Sequence, residues 1–566
     1  MNRPTRLVLV TLSLALPTAL VCAQTPPDAG SLLRESEKQL PLRLPQPAQQ
    51  AVPQAPLVPD ANALRVQVKA FRLSGNTLIA EPELQAVLAP WVGKELTFAD
   101  LQQAANAVAE AYRRHGWFAR PQLPAQDLAD GMVRINIIEG RLGAVRIDDD
   151  GKTLRTDRAM VTNTMTARQQ PGDPLNIDAL ERSSSILNDT PGVAVATILA
   201  PGGDTGQTDA IVKVQDKPLL AGTAQLDNQG ARSTGADKLT FSLALDNPGG
   251  SGDQINANGN VSEGSRYLKL GYSRPFGHDG LRAGISASAM QYQLLGEDFA
   301  ALNSKGDAST LGLNASYPLL RSGTRNMSLA GAIDRKDYYN EANALATSEK
   351  RIHTALFALN GDLLDGLGNG GMTLWGINLT AGQVDLSANA TNETADQNGP
   401  ATAGSYQKLG YSLARLQRVS DQSTLWLSLS GQRARKNLDS SEKFSLGGPQ
   451  GVRAYPLMEG SGDDGWLATL EARYNLTSDL QLSAFYDHGA ITQSHNADYT
   501  GAPLVNEASL KGAGIGLSWS QPGSFTLRAA WARRIGDNPL ASASTGADGD
   551  GSLKLNRFWL SAIVHF

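Results

Sequence analysis

The chain of 566 residues holds a single cysteine, Cys22, inside an apolar N-terminal stretch. A disulfide framework of the kind that staples small secreted domains is therefore excluded. Histidine is nearly as scarce: the six residues are scattered without metal-ligand spacing, and no Ser-His-Asp set stands out, so neither a metal, a cofactor nor an enzymatic site is called for. An excess of one charge is missing too. Fifty basic against fifty-five acidic residues leave a net charge of -5, which gives no general pull toward nucleic acid. Beyond the first thirty residues no run approaches the about 18 apolar residues that a membrane helix needs. That excludes helical spans but not strand spans, whose signal is far weaker.

Residues 1–23 read as a secretory signal. Arg3 and Arg6 form the basic region, Leu7 to Leu20 the apolar core, and Val21-Cys22-Ala23 a cleavage site before Gln24. Cleavage there would leave a mature chain without cysteine, as suits a bacterial envelope protein in transit. Residues 24–40 predict a short helix with Leu32, Leu33, Ser36 and Leu40 along one side and charges such as Arg34 and Glu35 elsewhere. Pro41 stops it, and Pro45, Pro47, Pro53, Pro56 and Pro59 make residues 41–63 a stiff, extended linker. A short helix on such a tether is either a tail or an element that docks elsewhere.

Residues 64–142 predict a small βααββ unit. A strand from Val66 ends at Ser74-Gly75-Asn76, and a first helix covers Pro82 to Trp91. A second, capped by Thr97 with Asp100 three residues on, carries Leu101, Ala104, Ala105, Val108 and Tyr112 at helical spacing. Strands follow at 117–121 and 132–138. Residues 143–217 repeat the order, with strands from Val145, at Val195–Leu199 and at Ile211–Val214, and helices over 158–166 and 177–187.

From 218 to 566 the chain becomes alternating segments divided by Gly, Asn, Asp and Ser. Leu239, Phe241, Leu243 and Leu245 are one example; Leu268, Leu270 and Tyr272, and Phe525, Leu527, Ala529 and Trp531, are others. Period two with one apolar face fits a soluble sandwich or a membrane barrel. Charges on the second face, tight connections (Gln521-Pro522-Gly523-Ser524) alternating with long ones (535–552), and about sixteen strands favour a closed antiparallel barrel, since a bilayer tolerates no open edge. The last strand points Phe558, Leu560, Ala562, Val564 and the terminal Phe566 one way, and Arg557, Ser561 and His565 the other.

Within the barrel, residues 439–465 form a long Gly-rich segment containing Gly447-Gly448-Pro449-Gln450-Gly451-Val452-Arg453-Ala454-Tyr455. On a sixteen-strand count it joins strands eleven and twelve. Parity turns Thr469, Glu471 and Arg473 of the next strand inward, and Gln481, Ser483, Phe485 and Asp487 of the one after. A guanidinium folded into the lumen needs a carboxylate, so Arg453 is expected to meet Asp487, with Glu471 as second candidate. Gly512-x-Gly514-x-Gly516 sits within a strand with no helix after it and is not a nucleotide loop.

Several phrases carry a family resemblance. The paired βααββ units, with Tyr112-x-x-x-Gly116 and Asp130-Gly131-x-Val133-x-Ile135-x-Ile137-x-Glu139-Gly140, resemble POTRA (polypeptide-transport-associated) domains. The stretch Gly451-Val452-Arg453-Ala454-Tyr455 resembles the Val-Arg-Gly-Tyr motif at the tip of the sixth extracellular loop in the Omp85 superfamily, and Asp487-His488-Gly489 its partner Asp-x-Gly motif. Ala454 departs from the family's glycine, tolerably unless its φ is positive. Two such units, a Pro-rich linker and a leading helix resemble the TpsB transporters of two-partner secretion. That resemblance implies an outer-membrane pore that exports one large exoprotein without ATP. It implies POTRA domains in the periplasm that capture the client, and a plug helix (Leu32, Leu33, Arg34, Glu35) in the lumen at rest. The final strand ending in Phe566 would be read by the barrel-assembly machinery. The same scaffold leaves barrel assembly as the alternative function, and an outer-membrane enzyme or passive porin, neither of which has a use for POTRA units, as a third.

Overall fold

The computed structural model describes residues 26–38, 65–204 and 206–566. The secretory signal (1–23) and the Pro-rich linker (41–63) lie outside these residues, as does Leu40 of the leading helix.

In the first unit a three-stranded sheet places Met132–Glu139 between Ala70–Ser74 and Ala119–Gln122. Helices Glu81–Leu88 and Phe98–Arg114 pack on it through Phe71, Leu84, Leu88, Leu101, Val108 and Tyr112. The single strand expected from Val66 to Ser74 is in fact two. Arg65–Gln67 pairs with Glu95–Thr97, and Ala70–Ser74 runs parallel to Met132–Asn136. The break falls where the Val68 amide donates to Lys94 O (3.0 Å) and the Lys69 amide to Gly131 O (2.8 Å), so the chain crosses between two sheets there. Thr97 and Asp100 close a reciprocal capping box. The Tyr112 hydroxyl donates to Glu139 Oε1 (2.7 Å), which also accepts from the amides of Thr77 (2.7 Å) and Leu78 (2.8 Å). Burial opposes its charge, yet these hydrogen bonds keep the Glu139 carboxyl below its usual value.

The second unit repeats the order. Gln207–Asp216 lies between Arg141–Asp148 and Val193–Pro201, and helices Arg158–Met165 and Ile177–Asp189 cover a core of Leu142, Val161, Met165, Leu175 and Val212. It docks on the short turns of the barrel. Asp279 accepts from Arg168 Nε (2.9 Å) and Nη2 (2.8 Å), from Arg182 Nε (3.1 Å) and from the Tyr317 hydroxyl (2.6 Å). Burial works against the Asp279 carboxylate, but these donors bring its pKa down to about 2.

Sixteen antiparallel strands, from Leu220–Asp227 to Asn556–His565, close the barrel. Alternation drives it: Leu268, Leu270, Ile333, Phe357, Leu413, Ile515 and Phe558 stand exposed on the outer face, as a lipid-facing band requires. No helix among the described residues is long and apolar enough to cross a membrane, which says nothing against strands. The wall is uneven. The sixth to eighth strands (Lys305–Arg321, Arg325–Ala342, Leu345–Asp365) run 17, 18 and 21 residues, against the roughly 9–11 a tilted span needs. At the seam, Ser561–His565 pair with Thr223–Asp227. Phe566 completes the closure, its amide donating to Gly222 O (3.1 Å) and its carbonyl accepting from Gly222 N (2.8 Å).

Candidate functional site in the barrel lumen

The eleventh strand (Ser423–Ala434) and twelfth strand (Asp464–Asn475) are joined by residues 435–463, the sixth connection on the side away from the two βααββ units. This loop turns inward. Its start is pinned by a turn at Ser440–Glu442, and a two-residue hairpin (Phe444–Ser445 with Ser461–Gly462) holds its neck. Beyond the neck the chain packs on itself: the Val452 amide donates to Leu446 O (2.7 Å), and a Cβ on Gly451 would strike that same carbonyl. Val452, Ala454 and Tyr455 are fully buried.

The tip lies on a lattice of three strands. Thr469, Asp487 and Gly512 form one rung across the twelfth, thirteenth (Leu480–Thr492) and fourteenth (Glu507–Gln521) strands; Glu471, Phe485 and Gly514 form the next. All face the lumen. Arg453 Nε and Nη2 donate to the two oxygens of Asp487 at 2.8 and 2.9 Å, and its own backbone amide adds a third bond at 3.1 Å. Its remaining nitrogen, Nη1, meets Glu471 Oε2 at 2.7 Å, and Glu471 Oε1 in turn accepts from Arg473 (2.8 Å). Thr469 donates to Asp487 Oδ1 (3.0 Å). Asp487 is fully buried, so without this bidentate partner its charge would be very costly. The guanidinium carbon lies 3.3 Å from the centre of the Phe485 ring, a cation–π contact beneath the ion pair. Gly489 completes the seat: a Cβ there would lie 2.5 Å from Leu446, so the glycine lets the loop lie flush on the wall.

Trp559 was not among the expected residues. It faces inward from the last strand, 8% exposed, and donates Nε1 to Arg453 O (2.8 Å). Its signal is faint: a lone aromatic between the inward Arg557 and Ser561. Tyr455 lies under Arg534 (4.6 Å to the ring centroid), and Arg534 and Arg557 converge on Asp548 in the last long loop. Glu459 ties the same two loops, accepting from Asn538 Nδ2 (2.6 Å) and Gly549 N (2.6 Å). Burial, helped by the nearby Asp548 and Asp550, pushes its carboxyl up to about 7.

A second occupant shares the lumen. The helix Ala29–Lys38 buries Ala29, Leu32 and Leu33 against Tyr267, Met290, Tyr292, Tyr338 and Ile352 of the inner wall. Asp28 caps it, accepting from the Ser31 amide (2.9 Å), and reaches Lys350 Nζ (3.0 Å) and Ser440 Oγ (2.6 Å). Lys350 also grips Asp439 (2.7 and 3.0 Å), while Arg34 donates to the carbonyls of Ser440 and Lys443. Gly30 rides close on Ser441, and Glu35 is buried. On the loop's other side, burial penalises the Glu442 carboxylate, but the ammonium groups of Lys408 (2.8 Å) and Lys336 (2.9 Å) hold its pKa down to about 2. No group of three or more His, Cys, Asp or Glu among the described residues could hold a metal ion.

The sequence profile described as haemolysin secretion/activation protein ShlB/FhaC/HecB matches residues 206–519, and that of a POTRA domain, ShlB-type, matches residues 66–140. The heme/hemopexin transporter protein HuxB of Haemophilus influenzae (strain 86-028NP) is 27% identical over 96% of this chain and 96% of its own length. The outer membrane transporter CdiB of Dickeya dadantii (strain 3937) is 27% identical over 80% of this chain and 81% of its own. The solved structure of CdiB from Escherichia coli superposes with a TM-score of 0.68 at 22% identity, covering 94% of this chain and 96% of that one, a likeness of fold.

Proposed function

The chain belongs to the haemolysin secretion/activation family ShlB/FhaC/HecB, and from that premise we propose how its two lumen occupants serve export. Members of this family are transporters, and this protein is an outer-membrane transporter of two-partner secretion with its POTRA units in the periplasm. It works with a secreted partner exoprotein.

The observation that carries the reading is a closed barrel whose lumen holds, beside the inward loop, a helix that is no part of the wall. The helix is the resting plug and leaves when a client arrives. The loop tip stays, with Arg453 tethered to Asp487 and Glu471, and keeps the wall in shape as the client passes. In the periplasm the client is captured as an added strand. Val193–Pro201 suits this, since it lies at a sheet edge and presents exposed Ile198 and Leu199. Transport needs no ATP, because folding outside makes return through the pore unfavourable by the folded client's stability. The barrel-assembly machinery reads the final strand with its terminal Phe566, and the outer apolar band contacts lipid.

Deleting the gene tests the function. The large exoprotein encoded beside it should remain inside the cell while other outer-membrane proteins assemble normally. Continued secretion would sink the reading, and a general loss of outer-membrane proteins would restore the barrel-assembly alternative that the family match sets aside.

A further inference from the structure

The fourteenth strand carries Gly512, Gly514 and Gly516 at alternate positions, opposite Asp487, Phe485 and Ser483 of the thirteenth. The three glycines therefore line the lumen beside the arginine seat. What each makes room for differs. A Cβ on Gly514 would strike Trp531 O at 2.0 Å and the Phe485 ring at 2.5 Å, and one on Gly516 would strike Ser483 Oγ at 2.6 Å, all parts of the wall itself. A Cβ on Gly512 would lie 2.6 Å from the Ala454 methyl, and the next atoms, Ala454 N and Arg533 O, are at an ordinary 3.5 Å. Neither Gly512 nor Ala454 has a left-handed φ, so an alanine meets no backbone objection at either place. The methyl of the loop tip alone demands glycine at 512.

We propose that Gly512 is the positioning residue that seats the sixth-loop tip, and that positions 454 and 512 together have room for one methyl group. Ala454 fills the space that a side chain at 512 would take, and Gly512 shares a rung with Asp487, the carboxylate that receives Arg453. A second methyl lifts the tip and pulls Arg453 off its carboxylate. This rests on the reading that the seated tip serves secretion, but the fit itself can be measured without it.

The test uses the full-length transporter in three variants: Gly512→Ala, Ala454→Gly, and the two combined. Trypsin cleavage after Arg453 reports whether the tip is seated, and barrel insertion is followed in parallel. Overpacking a filled site predicts that Gly512→Ala speeds this cleavage about tenfold or more, with the barrel still inserted. Because the two positions couple, the combined variant should return to within about twofold of Ala454→Gly alone. Unchanged cleavage in Gly512→Ala overturns the proposal, as does a combined variant cut as fast as Gly512→Ala. If Gly512→Ala fails to insert, the combined variant must insert; failure there also overturns it. Secretion by Arg453→Ala separates the two ideas: normal export would remove the tether reading while a rescued tip left the seating intact.

Discussion

The sixth-loop tip and the leading helix both lie inside the barrel, but the tip is held by one arginine at its centre and the helix by separate contacts at its N-terminal cap and midway along its length. Arg453 places its whole guanidinium against two carboxylates and an aromatic face, with Trp559 closing over its carbonyl. The helix has an apolar contact of Ala29, Leu32 and Leu33, and its polar grip is concentrated at Asp28 and Arg34. A fully buried carboxylate loses heavily if its bidentate partner goes, whereas a small apolar face with one ion pair at its cap can exchange with another occupant. The difference suits a permanent tether beside a removable plug. Loop residues Asp439 to Lys443 belong to both, since Lys350 binds Asp28 and Asp439 together.

The largest effect should come from breaking the centre of the tip. Arg453→Ala leaves the fully buried Asp487 without its guanidinium, a loss of about 3–5 kcal/mol at that site. Export of the partner should fall strongly while the barrel remains inserted. Arg453→Lys keeps the charge but not the fork, so it should secrete between the two. Wild-type secretion by Arg453→Ala would mean that the tip is not a tether, and the comparison with the helix would collapse.

How much of this contrast can be read from sequence depends on which rule governs each contact. Strand parity is rigid, so counting residues turns Asp487 and Glu471 toward the lumen once the sixteen-strand barrel is in place. Trp559 escapes because its partner is a backbone carbonyl, which no residue identity announces. The Lys350 cluster escapes for another reason: it joins Asp28, Lys350 and Asp439 from three separate segments, and no local period connects residues 322 apart. Gly512 was visible as part of a glycine pattern, but its meaning requires the Ala454 methyl in space. In the first POTRA unit, propensity alone runs one strand from Val66 to Ser74, while the sheet partners of Val68 and Lys69 divide it.

A smaller effect is expected at the helix. Removing residues 29–40 should raise the channel's conductance in planar bilayers, and unchanged conductance would make the helix a mere tail. Lys350→Met is the finer probe. It removes a charge-assisted contact worth about 1.5–3 kcal/mol and leaves Asp28 and Asp439 facing one another, so the open fraction should rise about tenfold or more. Secretion should survive this change, because the tip's own contacts are untouched. If Lys350→Met abolished export as completely as Arg453→Ala, the two occupants would be one mechanical unit.

The smallest expected effect joins the tip's loop to its neighbour. Glu459 has its carboxyl pushed up to about 7, from an ordinary value near 4.5, by burial between Asn538 and Gly549. A raised carboxyl means that the closed state binds a proton more tightly than the open one. Its stabilising contribution is therefore complete below about pH 4.5 and is lost as pH rises through about 7. Asp548 and Asp550 lie close and sharpen the penalty for the ionised form, while Arg534 and Arg557 are occupied with Asp548 and Asp550. Amide exchange in residues 538–550 should accelerate between pH 5 and pH 8 by more than the intrinsic chemical rate, and Glu459→Gln should flatten that excess. Exchange at 29–38 should not follow the same curve, since Asn538 and Gly549 of the last long loop bind the Glu459 carboxyl, while Asp28 and Asp439 bind Lys350. A shared curve would mean that the plug feels the outer loops through the tip, and the division between tether and plug would have to be redrawn.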